Sequence, residues 1–411
     1  MATRLRLPML DWPMLCASGV LLAIGMATVY SATTVPGAHE GLWSRQLVWL
    51  VLALGAAWVA TSLHYRAHDS LAYPFYVVSL VLLVAVLAFG SSAYGAKRWL
   101  ELGPVRFQPS EIAKLATVFV LARRLSHPKI DLSRFRDWFP TMLLALVPFI
   151  LVAEEPDLGT SLSFPAILIA MFFWAGMPAG NLILALSPAF TLVLSFVLDS
   201  GGMAFWLALG GALALLIALT RPRRMLLVVA LLLNFGVAIG MPIVKERLHD
   251  YQMRRIETFL NPGQDPQGAG YQIIQSRIAI GSGGLLGKGW RQGTQTGLSF
   301  LPMRHTDFVF AVIGEERGLL GALTVVILYG VIILRGYRLA VVARNGFASL
   351  MVVGLVTAFF FHVMVNLLMT IGWAPVTGLP LPLLSYGGTA LVVNCVQLGL
   401  LQNVALRRQE Y

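Results

Sequence analysis

Charge is what this sequence has least of. Charged residues are 12% of its 411 residues, about half the roughly 25% of soluble domains. A chain so poor in charge cannot cover a soluble surface. With 57% of residues hydrophobic, the class that fits is an all-α, polytopic membrane protein. Acidic residues are scarcer than basic ones, 19 against 30, for a net charge of +11. In a soluble protein that excess would point to nucleic acid. In a membrane protein it belongs mostly to cytoplasmic anchoring, and no nucleic-acid partner is expected. Cysteine is nearly absent: Cys16 and Cys395 both fall in apolar runs, so no disulfide framework is implied. The first apolar run mimics a signal peptide, but it is long enough to span and more spans follow, so it reads as the first helix.

What the chain has in abundance is apolar runs. A span needs about 20 apolar residues, and twelve runs are expected to cross: 10–32, 45–63, 73–90, 107–125, 139–153, 158–176, 181–198, 202–220, 224–243, 307–334, 346–371 and 386–405. Short loops such as RRLSHPKIDLSRFR and TRPRR carry the arginines that mark the inner side. Both termini are then cytoplasmic, and the large loop 245–306 is outside. Basic residues that oppose this rule, Lys97, Arg98, Arg106, Lys288 and Arg304 among them, either pair with neighbouring carboxylates such as Glu101 or meet an anionic ligand.

Four stations could carry chemistry. The first, KRWLELGPVRFQPSEIAK, runs into the fourth span, with Gln108 or Ser110 near its cap and Glu111 in its first turn. Lys114 lies three residues on, on the same helical face. It is either a self-satisfied pair with Glu111 or a cation held for a phosphate. The second, Glu154-Glu155-Pro156-Asp157, offers Asp157 as a helix cap. Its three carboxylates are alternatively a divalent-cation site or a support for a base. The third is the large loop, where glycines 281–284 and 287–289 can form anion-binding nests. Residues 271–280 suit a short helix lying on the bilayer surface. That loop ends in His305-Thr306-Asp307. Asp307 is either a cap for the tenth span or a carboxylate held at the water boundary, and Glu315, Glu316 and Arg317 beyond it suggest a polar cavity. The fourth, APVTGLPLPLLSYGG, is too rich in proline and glycine to span regularly.

Together these stretches resemble the SEDS family of bacterial envelope proteins, which includes RodA and FtsW. The matching runs are KRWLELGPVRFQPSEIAK, PDLGTS, the segment from DPQGAGYQ to FAVIGEE, and GLPLPLLSYGG, in the expected order. GKGWRQGTQTGLSFLP is more similar to the elongation branch than to the division branch. The resemblance implies one membrane domain over 1–411 in the bacterial cytoplasmic membrane. It implies a glycosyltransferase polymerising lipid II outside the membrane, paired with a class B penicillin-binding protein and other elongation-complex proteins. It puts the essential carboxylate on Asp307, the paired Glu and Lys on Glu111 and Lys114, and a further aspartate on Asp157. Lys97, Arg98, Arg106, Gln108, Ser110, His305, Thr306 and Lys288 are the remaining candidates for substrate binding. No cofactor is required; magnesium or manganese is a candidate aid to the pyrophosphate. The family has about ten spans, so two of the twelve are surplus, and the hairpin 181–220 is taken as the insertion, peripheral to catalysis. A lipid II flippase and a scaffold without chemistry are the alternative readings.

Overall fold

The computed structural model describes residues 10–34, 41–93, 96–103, 105–197, 202–220, 224–247, 269–298 and 300–407. All twelve apolar runs fall on helices. These are α1 (Trp12–Thr33), α2 (Leu42–Ser62), α4 (Ala72–Phe89), α5 (Pro109–Leu125), α6 (Phe135–Glu154), α7–α8 (Leu158–Ser161 and Ser163–Trp174), α9 (Ala179–Val197), α10 (Met203–Thr220), α11 (Arg224–Arg247), α14 (Val309–Val342), α15 (Gly346–Thr370) and α16 (Gly388–Leu406). Among the described residues there are also three short helices: α3 (Tyr65–Ser70), α12 (Ala269–Ser282) and α13 (Thr294–Gly297). Seven of the described helices are long and apolar enough to cross a membrane by length and composition alone.

The bundle is organised around α5 and α15. Most of α5 is buried, from Ser110 to Ala122, including both Glu111 and Lys114. Its charges count against it as a lipid-facing span. α15 packs against α5, α8 and α14. Hydrophobic burial does not hold helices together in lipid; close packing and interhelical hydrogen bonds do. Asn403 on α16 donates to the free carbonyls at the end of α2, Ala60, Thr61 and Leu63. Asn234 on α11 donates to Ser187 Oγ at 2.7 Å and accepts from Thr191 Oγ1, both on α9. The 181–220 hairpin is therefore fastened to α11 by buried polar contacts.

Basic and acidic groups separate the two ends. At one, Arg335 clasps Asp11 with Nη2–Oδ2 at 2.7 Å, Arg123 donates to Ser70 O, and Arg407 donates to Ser62 O and Leu63 O. At the other lie the candidate stations. There the chain also forms a small antiparallel sheet, β1 (Ser91–Ala93), β2 (Ala96–Leu102) and β3 (Val105–Phe107), which apolar periodicity does not reveal. Its register sets Glu101 opposite Arg106.

The large loop is a folded support for α14. α14 breaks at Gly318, whose φ is +63°. The break strands backbone groups, and the loop takes them up. Lys288 N and Gly289 N donate to Glu315 O and Glu316 O, while Leu319 N and Leu320 N donate to Gly284 O and Leu285 O. Of the stretch expected to cradle an anion, Lys288 N and Gly289 N are thus spent on the broken helix, and Gly283 N and Gly287 N on Ile280 O and Gly283 O. α12 packs one face on protein. It buries Ile273 and Ala279 against Leu301, Phe308 and Val376, and Ser276 Oγ donates to Thr370 O at 2.7 Å. A Cβ on Gly318 would stand 2.4 Å from Gly287 N in a left-handed backbone. Gly318→Ala is therefore expected to destabilise the protein by roughly 1–3 kcal/mol, measured as a lowered thermal midpoint in detergent. An unchanged midpoint would mean that the break is not a fixed feature.

Candidate active site

The carboxylate that ends the large loop is not a helix cap. α14 begins at Val309; its N-cap is Phe308, without a side-chain bond. Asp307 precedes that cap, half-buried in a run of turns, with its amide on Met303 O at 3.1 Å. The proline- and glycine-rich strap 371–387 closes over it. Tyr386 N donates to His305 O at 2.8 Å, and Ser385 Oγ to Thr306 O at 2.5 Å. The His305 ring meets Tyr386 edge-on at 5.8 Å. Thr306 Oγ1 turns back to Met303 O. Gly378, at φ +77°, presents its bare Cα to the carboxylate: a Cβ there would lie 3.7 Å from Asp307 Oδ2. Asn366 of α15 holds the backbone from behind, donating to Asp307 O at 2.9 Å and Leu379 O at 2.7 Å. The strap is the device that brings the stations together, since Gly159 of the PDLGTS run packs on Thr377 and Leu379 of the same segment.

Lys114 and Glu111 form a buried pair at 2.8 Å, and the ammonium also lies 2.7 Å from His362 Nε2 of α15. This is the geometry of the self-satisfied pair, with a third partner that sequence spacing does not identify. Two of the three ammonium hydrogens are thereby used. Gln108 is the N-cap residue of α5 without a side-chain cap bond, and its amide donates instead to Asp157 Oδ2 at 3.1 Å. Ser110 is buried, and its hydroxyl has no hydrogen-bond partner among the described residues.

Asp157 is a cap. Its oxygens accept from Thr160 N at 3.2 Å and Thr160 Oγ1 at 2.9 Å, and Arg98 Nη1 stands 3.8 Å away. Arg98 also donates to Pro156 O. Glu155 beside it is buried, and neither of its oxygens has a hydrogen-bond partner among the described residues. Burial first, then the Asp157 carboxylate, push its pKa up to about 9 against the opposing pull of Arg98. Burial and the Asp157 charge thus favour the neutral acid at pH 7. Among the described residues no group of three or more His, Cys, Asp or Glu is arranged to hold a metal. The donor set does not make a cation site of the second station, and no step is routed through one.

Other candidates are spread more widely. Arg106 is exposed and pairs with Glu101 at 3.1 Å. Its backbone carbonyl accepts from Thr389 Oγ1 at the head of α16, so the sheet borders the strap. Lys97 sits in β2, with its side chain outside the described structure. Lys288 donates to Glu315 and Thr294, both at 2.8 Å. Glu315 and Glu316 do not mark an open polar cavity. Glu315 accepts from Lys288, Thr294, Gln295 N, and Thr296 N and Oγ1, and Glu316 accepts from Ser31. Arg304 is buried with Nε on Ala32 O at 2.9 Å, and burial lowers its pKa. Of the basic residues that oppose the inner-side rule, Arg98, Arg106 and Lys288 each stand beside a carboxylate.

Sequence reading missed His362 and Asn366. Their signal was available: a histidine and an asparagine four residues apart in an otherwise apolar span share one helical face.

Known proteins bear on this arrangement along the full chain. A family model named for FtsW, RodA and SpoVE, and described as a cell cycle protein, matches residues 6–206 and 192–410. The peptidoglycan glycosyltransferase MrdB of Escherichia coli K12 is 39% identical over 401 residues, spanning 97% of this chain and 94% of its own. A probable peptidoglycan glycosyltransferase FtsW of Geobacter metallireducens is 32% identical over 405 residues, spanning 97% and 95%. Among solved structures, a chain from a peptidoglycan synthase complex that coordinates polymerization and crosslinking aligns with a TM-score of 0.73 at 32% identity, covering 98% of this chain and 99% of that one. The rod shape determining protein RodA of Thermus thermophilus aligns at 0.64 and 28% identity, covering 97% of both. With its stations assembled around one strap, and with relatives matching it from end to end, the chain belongs to the FtsW/RodA/SpoVE family.

Proposed function

We propose that this protein is a peptidoglycan glycosyltransferase that polymerises lipid II at the outer face of the bacterial cytoplasmic membrane, for cell elongation. The observation that carries this reading is Asp307: a half-buried carboxylate placed ahead of the N-cap of α14, gripped through its backbone, and lying beside a glycine. A general base needs that combination of fixed position and remaining access. Asp307 takes the proton of the acceptor sugar hydroxyl. The oxygen attacks the anomeric carbon of the donor, the new glycosidic bond forms, and the bond to pyrophosphate breaks with its electron pair leaving on phosphate. An α-linked donor and a β-linked product need a single inverting displacement and no covalent enzyme intermediate.

Positive charge for the leaving group comes from the same end of the bundle. Arg98 and Arg106, each beside a carboxylate, stand on the small sheet near the strap, and Lys114 supplies a buried cation whose field Glu111 partly offsets. Gln108, His305 and Thr306 are the further candidates for substrate contact, and Ser110, fully buried, stands behind them in α5. A divalent cation bound with the pyrophosphate is compatible with this scheme. The partner is a class B penicillin-binding protein, whose transpeptidase crosslinks the strands, together with other elongation-complex membrane proteins. The hairpin 181–220 is an insertion relative to the ten-span family core. The family match divides into two parts that overlap at 192–206, inside it, which supports this reading.

The orientation has both termini cytoplasmic and 245–306 outside. In a background lacking Cys16 and Cys395, Ser282→Cys is expected to react with an impermeant thiol reagent on intact cells, and Ser133→Cys to stay silent. The reverse pattern would invert the scheme. The activity itself is tested in vesicles holding labelled lipid II: glycan strands are the expected product, whereas transfer of lipid II between leaflets without glycan would favour the flippase reading.

A further inference from the structure

The Lys114 ammonium touches two groups, Glu111 Oε1 at 2.8 Å and His362 Nε2 at 2.7 Å. All three side chains are buried. Beside a carboxylate the lysine is an ammonium with donors only, so the ring nitrogen facing it must accept. His362 is therefore neutral, with its proton on Nδ1. The triad then carries no net charge, the arrangement burial favours. One turn further along α15, Asn366 donates to Asp307 O and Leu379 O. Both partners can only accept, so the orientation of the amide is fixed. Four residues of helix advance about 6 Å. One face of α15 thus holds the tip of the cation and the backbone of the carboxylate about one turn apart. Those two groups come from other elements, Lys114 from α5 and Asp307 from the turn before α14.

We propose that His362 is a positioning residue for the glycosyl transfer: as an uncharged acceptor it fixes Lys114 Nζ relative to Asp307, so that cation and base address one substrate. This rests on the glycosyltransferase reading. His362 takes no part in proton transfer. Its work is geometric, and a shift of about 1 Å in a charged group of an active site costs up to a hundredfold in rate.

The test compares His362→Gln with His362→Met, two side chains of nearly equal shape of which only glutamine offers an acceptor. Each is purified with the transpeptidase partner and assayed for glycan formation from lipid II, with kcat and KM separated. The glutamine variant should stay within about threefold of wild type, and the methionine variant should lose roughly tenfold to a hundredfold in kcat with KM little changed. Equal rates for the two folded variants, whether both high or both low, would overturn the proposal. Should the methionine variant fail to fold, the glutamine variant decides by its pH–rate profile between about pH 5 and 8, the range in which a titrating histidine would act. A profile that coincides with wild type supports positioning; a lost limb makes the ring a proton carrier and overturns it. A wild-type protein that makes no glycan would remove the glycosyltransferase reading itself, an outcome distinct from failure at His362.

Discussion

Asp307→Asn is expected to abolish nearly all glycan synthesis, a fall of roughly two to four orders of magnitude, while leaving the protein folded and bound to its partner. The substitution keeps size and hydrogen-bonding shape and removes only the ability to take a proton. An aspartate that merely capped a helix would tolerate it, because asparagine caps about as well. The cap of α14 is Phe308, so the capping explanation already lacks its geometry. What holds Asp307 in place is its backbone, through Asn366 Nδ2 at 2.9 Å and the bond from its own amide to Met303 O. Neither contact depends on the carboxylate, so the fold should survive the change. The assay is glycan chain formation from lipid II with the transpeptidase present, run beside a thermal melt. Near-normal synthesis by the variant would take Asp307 out of the mechanism.

Lys114→Ala is expected to have the second-largest effect, and the structure shows why the single substitution is ambiguous. It removes the cation and also strands the Glu111 carboxylate, buried with 3% side-chain exposure. An orphaned buried charge costs about 3–5 kcal/mol, so inactivity alone could reflect an unfolded protein. Glu111→Gln combined with Lys114→Met removes both charges and keeps the volume. Replacing a buried pair in this way is close to neutral for stability. The double variant should therefore melt near wild type and remain at least tenfold impaired, because the field of the cation in the cavity is lost. Lys114→Arg should recover only part of the rate, since a guanidinium cannot occupy the slot between Glu111 and His362 as a compact ammonium does. A folded double variant with wild-type synthesis would reduce the pair to a structural role.

The spans were legible in the sequence because each is a local property, a run of apolar residues bounded by turns. α5 shows the limit of that signal. Its charges look wrong for lipid, and they are accommodated because its surroundings are protein, a fact that resides in α15 and α8. The glycines of 281–289 were misread for a related reason. Small residues in turns suggest an anion nest locally, whereas Lys288 N and Gly289 N answer a helix break at Gly318, some thirty residues downstream. The partner of Lys288 was hidden for the same reason, because Glu315 is distant in sequence and adjacent in space. The sheet of 91–107 was missed because its strands are short and carry no alternation strong enough to stand out. Asp307 and the Glu111–Lys114 pair were found because each sits within a motif whose residues are consecutive. His362 and Asn366 were not, since each is a single polar residue in an apolar helix and acquires meaning only from what faces it.

The central claim is that this chain itself joins sugars. It is tested most directly by incubating the purified protein, with a transpeptidase partner whose own active serine is blocked, with lipid II. The products are then followed for glycan length and for released lipid pyrophosphate. The account predicts long β-linked strands, one pyrophosphate released for each bond formed, and loss of both with Asp307→Asn. Lipid II left unpolymerised by wild-type protein, or strands formed equally well by Asp307→Asn, would contradict it.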